Sequence, residues 1–136
     1  MDTAYPTQLV TDFFKAKAAS YMSPMAVKRM LDEGSHDIVL VDVRLQSPAL
    51  TWRLPNSVGL PLPEIRSRLS ELPKDKLIVL VCWDTWCSLA TSAALILLEA
   101  GFRVKEPLGG VAAWETLRLP KEQVSEEPSV DRLSVC

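Results

Sequence analysis

Cys82 and Cys87 bracket a short loop, Cys82-Trp83-Asp84-Thr85-Trp86-Cys87-Ser88. The chain holds three cysteines and one histidine, His36. A single histidine argues against a Cys/His zinc cluster. It lies in the turn-like Gly34-Ser35-His36-Asp37, a poor setting for the base of a Ser-His-Asp triad. Covalent chemistry therefore falls to cysteine. Cys82 directly follows the apolar run Leu77 to Val81 and precedes a helical stretch that starts near Ser88. In parallel α/β sheets, ligands collect at the carboxyl ends of the strands. Loop N–H groups and the positive end of a helix dipole stabilise an anion there. A thiolate is such an anion, and in such a seat its pKa falls from about 8.5 to roughly 3.5–7.5. The spacing describes a nucleophile that needs no histidine. Core packing competes with this reading, because cysteine is among the most buried residue types. Cys82 can extend the strand inward, and Cys87 can be the first buried residue of the helix. Cys136 is expected to be an inert, exposed thiol. An odd cysteine count without a visible signal peptide points to cytoplasmic thiols, not to a disulfide framework.

The elements that position these thiols follow from periodicity. Thr7 to Ser20 places Leu9, Val10, Phe13 and Phe14 at helical spacing, which predicts an amphipathic helix covering a sheet face or a partner's apolar patch. A short strand is expected around Ala19 to Met22. Ser23-Pro24 is a helix start, with Ser as N-cap and Pro at the first position, and Gly34 is the stop. Ile38 to Val43 and Leu77 to Val81 are continuous β-branched and aliphatic runs, suited to strands buried on both faces. Each precedes a helical pattern, which predicts parallel strand–helix–strand pairing. Between them lie Pro48, Pro55, Pro61, Pro63 and Pro73, half of the ten prolines. They predict loop or edge structure, then a short helix from Pro63 to Leu72. Ser88 to Ala100 carries one charge, Glu99, and so predicts a helix buried nearly all round. Gly101 ends it, Phe102 to Glu106 is a last strand, and Val111 to Leu117 a last helix. From Pro120 the charged, aromatic-poor chain predicts a mobile tail.

Composition sets the outer limits. A chain of 136 residues, 48% hydrophobic and 24% charged, fits one globular domain. Fifteen Lys and Arg against seventeen Asp and Glu leave a net charge of −2, without the basic excess of a nucleic-acid binder. No apolar run approaches the roughly 20 residues of a membrane span.

Five segments in order resemble one family. Asp37-Ile38-Val39-Leu40-Val41-Asp42-Val43-Arg44 is similar to the strand of rhodanese-like domains that ends Asp-Val-Arg. Leu54-Pro55-Asn56-Ser57-Val58-Gly59-Leu60-Pro61 is similar to the family's His-Ile-Pro-Gly-Ala segment, with Arg53 where that histidine stands. Leu77 to Cys82 matches the strand that ends in the family's cysteine. Glu99-Ala100-Gly101-Phe102 and Leu108-Gly109-Gly110-Val111-Ala112-Ala113-Trp114 match two further motifs. The resemblance implies an α/β fold: one rhodanese-like domain over residues 20–118, with a central parallel five-stranded sheet and helices on both faces. Residues 1–19 form an extra N-terminal helical extension and residues 119–136 the tail. It implies sulfur carried as a persulfide on Cys82 and passed to a nucleophile such as a thiol. Trp83, Asp84, Thr85, Trp86, Cys87 and Ser88 take the role of the cradling loop. No cofactor and no metal are implied. The expected partners are a small sulfur-containing donor or acceptor, or a protein thiol, and neither nucleic acid nor membrane.

The loop departs from the usual Cys-x-x-Gly-x-Arg-Ser form. It is longer, lacks Gly and Arg, and holds two Trp and an Asp. It resembles a subgroup with a Cys-Trp-x-x-x-Cys-x-x-Ala-Thr loop, matched by Cys82, Trp83, Cys87, Ala90 and Thr91. Arg44 and Arg53 are the candidates to supply positive charge at the mouth, and for Arg44 a buried pair with Asp42 is the competing use. Trp83 and Trp86 form an apolar rim, or one of them anchors the loop. The phosphate-transferring branch of the fold needs a loop arginine, and Asp84 would repel a dianion. The other readings are a non-catalytic or regulatory module, and a thiol redox function in which Cys87 resolves an oxidised Cys82.

Overall fold

A computed structural model of the chain describes residues 4–124. Its elements run α1 (Thr7–Ser20), β1 (Tyr21–Met22), α2 (Pro24–Asp32), β2 (Ile38–Asp42), β3 (Trp52–Arg53), β4 (Val58–Gly59), β5 (Leu77–Val81), α3 (Leu89–Glu99), β6 (Arg103–Pro107), α4 (Gly110–Thr116) and β7 (Glu122–Gln123). The main sheet has five strands in the order β1-β6-β5-β2-β4, all parallel. The aliphatic runs β2 and β5 lie side by side at its centre, Ile38 opposite Leu77 and Asp42 opposite Val81. Their β-branched side chains suit a pleated surface covered on both faces.

Strand alternation sorts the core into two layers. Ile78 and Leu80 of β5 join Val41, Ala90, Ala93 and Leu97 beneath α3. Val79 and Val81 face the other way, with Leu40, Val27 of α2 and Val111 and Trp114 of α4. Cys82 continues the row of Ile78 and Leu80 and so belongs to the α3 layer. Asp42 continues the row of Ile38 and Leu40 on the opposite face.

The caps act as the sequence predicts. The Ser23 hydroxyl accepts the Ala26 N–H at 3.0 Å with Pro24 behind it. Gly34 and Gly101 end their helices at positive φ, 65° and 91°.

Four expectations need correction. The segment after Pro61 is not an α-helix but two 3₁₀ turns, Leu62–Glu64 and Arg66–Glu71. Pro61 and Pro63 remove N–H donors there, and Arg68 leaves helical geometry at φ −119°. Helix α3 is not buried all round: Ala90, Ala93 and Leu97 are inside, but Leu95 and Leu98 are 64% and 53% exposed, since α3 covers the sheet with one face only. Helix α1 touches β1 and β6, yet no side chain of it is buried against the described residues. The chain past Pro120 does not leave the domain at once. β7 pairs antiparallel with β3, and Lys121 Nζ sits 4.5 Å from the Trp52 ring. The rest of the expected tail, with Cys136, lies outside the described residues.

Candidate active site

The site is the turn between β5 and α3. The Val81 carbonyl still accepts the Val43 N–H at 3.0 Å, so Cys82 leaves the sheet at its carboxyl edge. Its own carbonyl accepts the Val111 N–H at 2.9 Å, and that of Trp83 accepts the Ala112 N–H at 3.0 Å. The start of α4 thus grips the loop backbone. Gly110 makes this approach, at φ 58°, and a Cβ there would come within 2.6 Å of the Cys82 carbonyl and 2.9 Å of the Asp84 nitrogen. The Gly109-Gly110 pair of the Leu108 to Trp114 motif is what permits this contact.

Asp84 sets the second half of the loop. Its carbonyl accepts the Cys87 N–H at 3.1 Å, and its Oδ1 accepts the Thr85 N–H at 2.6 Å. This turn carries the chain back so that Cys87 starts the buried stripe Cys87, Ala90, Ala93/Ala94, Leu97 of α3. Cys87 therefore faces inward and meets Cys82. The two form a disulfide across a Cα–Cα distance of 6.5 Å. The bridge joins two cysteines that the odd cysteine count predicts as free thiols, because the Asp84 turn brings them together. Cys82 is 1% exposed and Cys87 7%.

The two tryptophans divide the alternatives between them. Trp83 packs against both core layers, and its ring lies 4.5 Å from the Arg44 Cζ. It is an anchor. Trp86 is 67% exposed and stands at the rim. Ser88 precedes α3 without a side-chain capping bond. The first-turn N–H groups of α3 are donors that a helix does not satisfy internally.

The structure does not bring the candidate arginines to the thiols. Arg44 is buried, with Nε 3.0 Å from Asp42 Oδ1, and with Nη2 2.7 Å from Asp42 Oδ2 and 2.7 Å from the Trp52 carbonyl. Arg53 Nε lies 3.4 Å from Asp42 Oδ2, and its guanidinium covers Gly59, where a Cβ would stand 2.7 Å from Nη2. Both cations serve Asp42, which points away from the cysteine face. Arg44 meets the loop at the Trp83 ring. Among the described residues no group of three or more His, Cys, Asp or Glu converges as metal ligands would. His36 is exposed, far from any such role.

A cavity of about 470 Å³ opens beside the bridge. Thr85, Cys87 and Thr91 line it together with Phe13 and Lys17 of α1, Tyr21 of β1 and Glu106 of β6. Cys87 lines it and Cys82 does not. Desolvation holds the Glu106 carboxyl above its ordinary value. Of these lining residues the sequence reading named Cys87, Thr85 and Thr91. Phe13 belongs to the apolar stripe of α1 that the sequence marks, while nothing in the sequence points Lys17, Tyr21 or Glu106 to this place.

Residues 23–117 match the Rhodanese-like domain family. The chain belongs to the rhodanese-like family. A sulfurtransferase of Allochromatium vinosum is 32% identical over 87 residues, covering 63% of this chain and 79% of that protein. The HTH-type transcriptional regulator Rv0324 of Mycobacterium tuberculosis is also 32% identical over 87 residues, which cover 64% of this chain. The match spans 38% of that regulator's length. A full-length protein from Lactobacillus plantarum shares the fold at a TM-score of 0.80 and 24% identity, covering 87% of this chain and 99% of its own. The domain is thus shared with proteins named as a sulfurtransferase and as a transcriptional regulator. Among the described residues no helix is long and apolar enough to cross a membrane.

Proposed function

We propose that the domain is a sulfurtransferase that carries sulfane sulfur on Cys82 as a persulfide and hands it to a thiol. The observation that carries this reading is the seat of Cys82. It lies at the carboxyl end of a central parallel strand, before the first turn of α3, in a loop held by the N-terminus of α4. The described form is the bridged one, so transfer begins once a reductant opens Cys82–Cys87. The Cys82 thiolate then attacks the sulfane sulfur of a donor. The donor's S–S bond breaks, its remaining thiolate or sulfite leaves, and Cys82 holds the sulfur. An acceptor thiolate next attacks the outer sulfur, the Cys82 S–S bond breaks, and the Cys82 thiolate returns. Helix α3 and the loop N–H groups lower the energy of the anion at both ends of the cycle.

The absence of a loop arginine and the presence of Asp84 favour uncharged or monoanionic donors over thiosulfate. Thiols of a reducing, cytoplasmic compartment would serve as reductant and acceptor. A regulatory reading is favoured by one observation, the likeness to part of a transcriptional regulator, and would use the same bridge as its sensor. Mass spectrometry tests the primary reading. Reduced protein treated with a persulfide donor gains the mass of one sulfur atom on the peptide containing Cys82. A gain confined to Cys87, or no gain, refutes it.

A further inference from the structure

We infer that Cys87 discharges the Cys82 persulfide as hydrosulfide, and that the disulfide so formed is reopened by a thiol entering the α1–α3 cavity and attacking Cys87. The inference rests on the sulfur-carrier reading and extends it. Two independent observations support it. The first is the bridge itself, which shows that Cys87 Sγ reaches Cys82 Sγ without leaving the buried stripe of α3. A thiol that reaches the inner sulfur of a persulfide can displace the outer one. The step balances as Cys82–S–SH plus Cys87–SH giving Cys82–S–S–Cys87 plus H₂S. The Cys87 thiolate attacks Cys82 Sγ, the persulfide S–S bond breaks, and the outer sulfur leaves with the proton that Cys87 gave up. The sulfane sulfur is reduced to sulfide and the two cysteines are oxidised.

The second observation is the asymmetry of access. In the bridged form Cys82 is sealed beneath the loop, while Cys87 lines the cavity of about 470 Å³. That volume lies within the range of small-molecule sites. An incoming thiol meets Cys87 Sγ first and forms a mixed disulfide there. Cys82 leaves as the thiolate at the carboxyl edge of the sheet, just before the first turn of α3, where an anion is stabilised. A second thiol frees Cys87. The sum is two thiols oxidised to one disulfide and a Cys82–Cys87 dithiol ready for the next donor. Phe13 and Tyr21 offer apolar walls and Lys17 and Glu106 opposite charges, which suits a small zwitterionic thiol.

Single-turnover loading tests this. Reduced, thiol-free protein is mixed with one equivalent of benzenethiosulfonate, whose sulfane sulfur passes to Cys82 while benzenesulfinate leaves, so that loading itself yields no sulfide. Wild type is expected to release one hydrosulfide per chain without added thiol and to end with a Cys82–Cys87 cross-link in non-reducing peptide maps. Cys87→Ser is expected to keep the extra sulfur on Cys82 and release none. A wild-type adduct as long-lived as that of Cys87→Ser overturns the inference and leaves the carrier reading standing. No adduct on Cys82 in either protein overturns both. For the entry route, Thr91→Trp crowds the cavity and is expected to slow reopening of the bridge by glutathione several-fold. Equal reopening rates in the two proteins overturn the route through the cavity.

Discussion

Two regions meet at the carboxyl edge of the sheet, and they keep sulfur and charge apart. On the α3 face, Cys82 and Cys87 sit among Ile78, Leu80, Ala90 and Leu97, with no ion pair beside them among the described residues. On the opposite face, one carboxylate, Asp42, holds the Arg44 and Arg53 guanidiniums, and Arg44 stacks on Trp83. The difference follows from the alternation of a strand. Residues 78, 80 and 82 share one side and residues 38, 40 and 42 the other. Positive charge that would bind an anion at the thiol is instead neutralised behind it. The electrostatic cluster shapes the loop through Trp83, and the chemistry is left to the two thiols and the backbone.

The largest effect should come from the sulfur side. Cys82→Ser is expected to lower sulfur transfer by a thousandfold or so, as loss of a covalent nucleophile does. Cys136→Ser should transfer sulfur at the wild-type rate, measured with the same donor and acceptor. Equal rates in Cys82→Ser and wild type would pass the nucleophile's role to Cys87.

On the charge side, removing one partner of a buried pair leaves the other uncompensated. Arg44→Met should cost about 3 kcal/mol in urea unfolding. Arg53→Met should cost less, because Asp42 keeps its bidentate contact with Arg44. Should Arg44→Met unfold like wild type yet bind thiosulfate more weakly, the separation drawn above would be wrong, and Arg44 would serve the mouth.

The central strands were legible because they are unbroken β-branched runs, and the helix ends because Ser23-Pro24 and Gly101 are strong local signals. Cys82 was legible for the same reason, since it stands where a readable strand stops. The direction of Cys87 was not, although it extends the stripe of Ala90 and Leu97 by one turn. That depends on the Asp84 turn, a hydrogen bond that composition does not announce. Arg44 was legible as a buried partner of Asp42, two residues away on the same segment, whereas Arg53 was not, because its meeting with Asp42 joins segments across the sheet edge. The exposure of Leu95 and of the α1 side chains is a property of layering, which periodicity within one helix does not encode.

A smaller effect separates charge within the loop from charge behind it. Asp84 is the acidic group of the loop itself, and its Oδ1 is held by the Thr85 N–H. A like charge near a bound dianion costs on the order of 1 kcal/mol. Asp84→Asn should therefore lower the KM for thiosulfate several-fold and leave the KM of an uncharged persulfide donor nearly unchanged. An identical thiosulfate KM in both proteins would mean that the carboxylate is screened from the substrate.

The smallest effect concerns Glu106, a carboxyl that among the described residues lacks the pairing Asp42 enjoys. Burial alone holds its pKa above the ordinary value, while Lys17 and Tyr21 line the same cavity and Lys105 Nζ donates to the Ala18 carbonyl at 3.4 Å. A folded-state pKa above the unfolded value means that the folded form binds the proton more tightly. The stabilisation this gives is complete below the unfolded pKa of about 4.3 and is lost as pH rises through the folded pKa. At neutral pH the ionised group is therefore a small burden on the fold. Because the side chain is only half-buried, solvent screens much of that burden, and Glu106→Gln should raise the melting temperature at pH 7 by no more than about 3 °C. At pH 4 the two proteins should melt together. A gain of the same size at both pH values would assign it to packing of the amide and not to removal of the charge. A loss at pH 7 would mean that Lys17 pairs with the carboxylate, and then the α1 wall of the cavity would be held by charge much as Trp83 is held by Arg44.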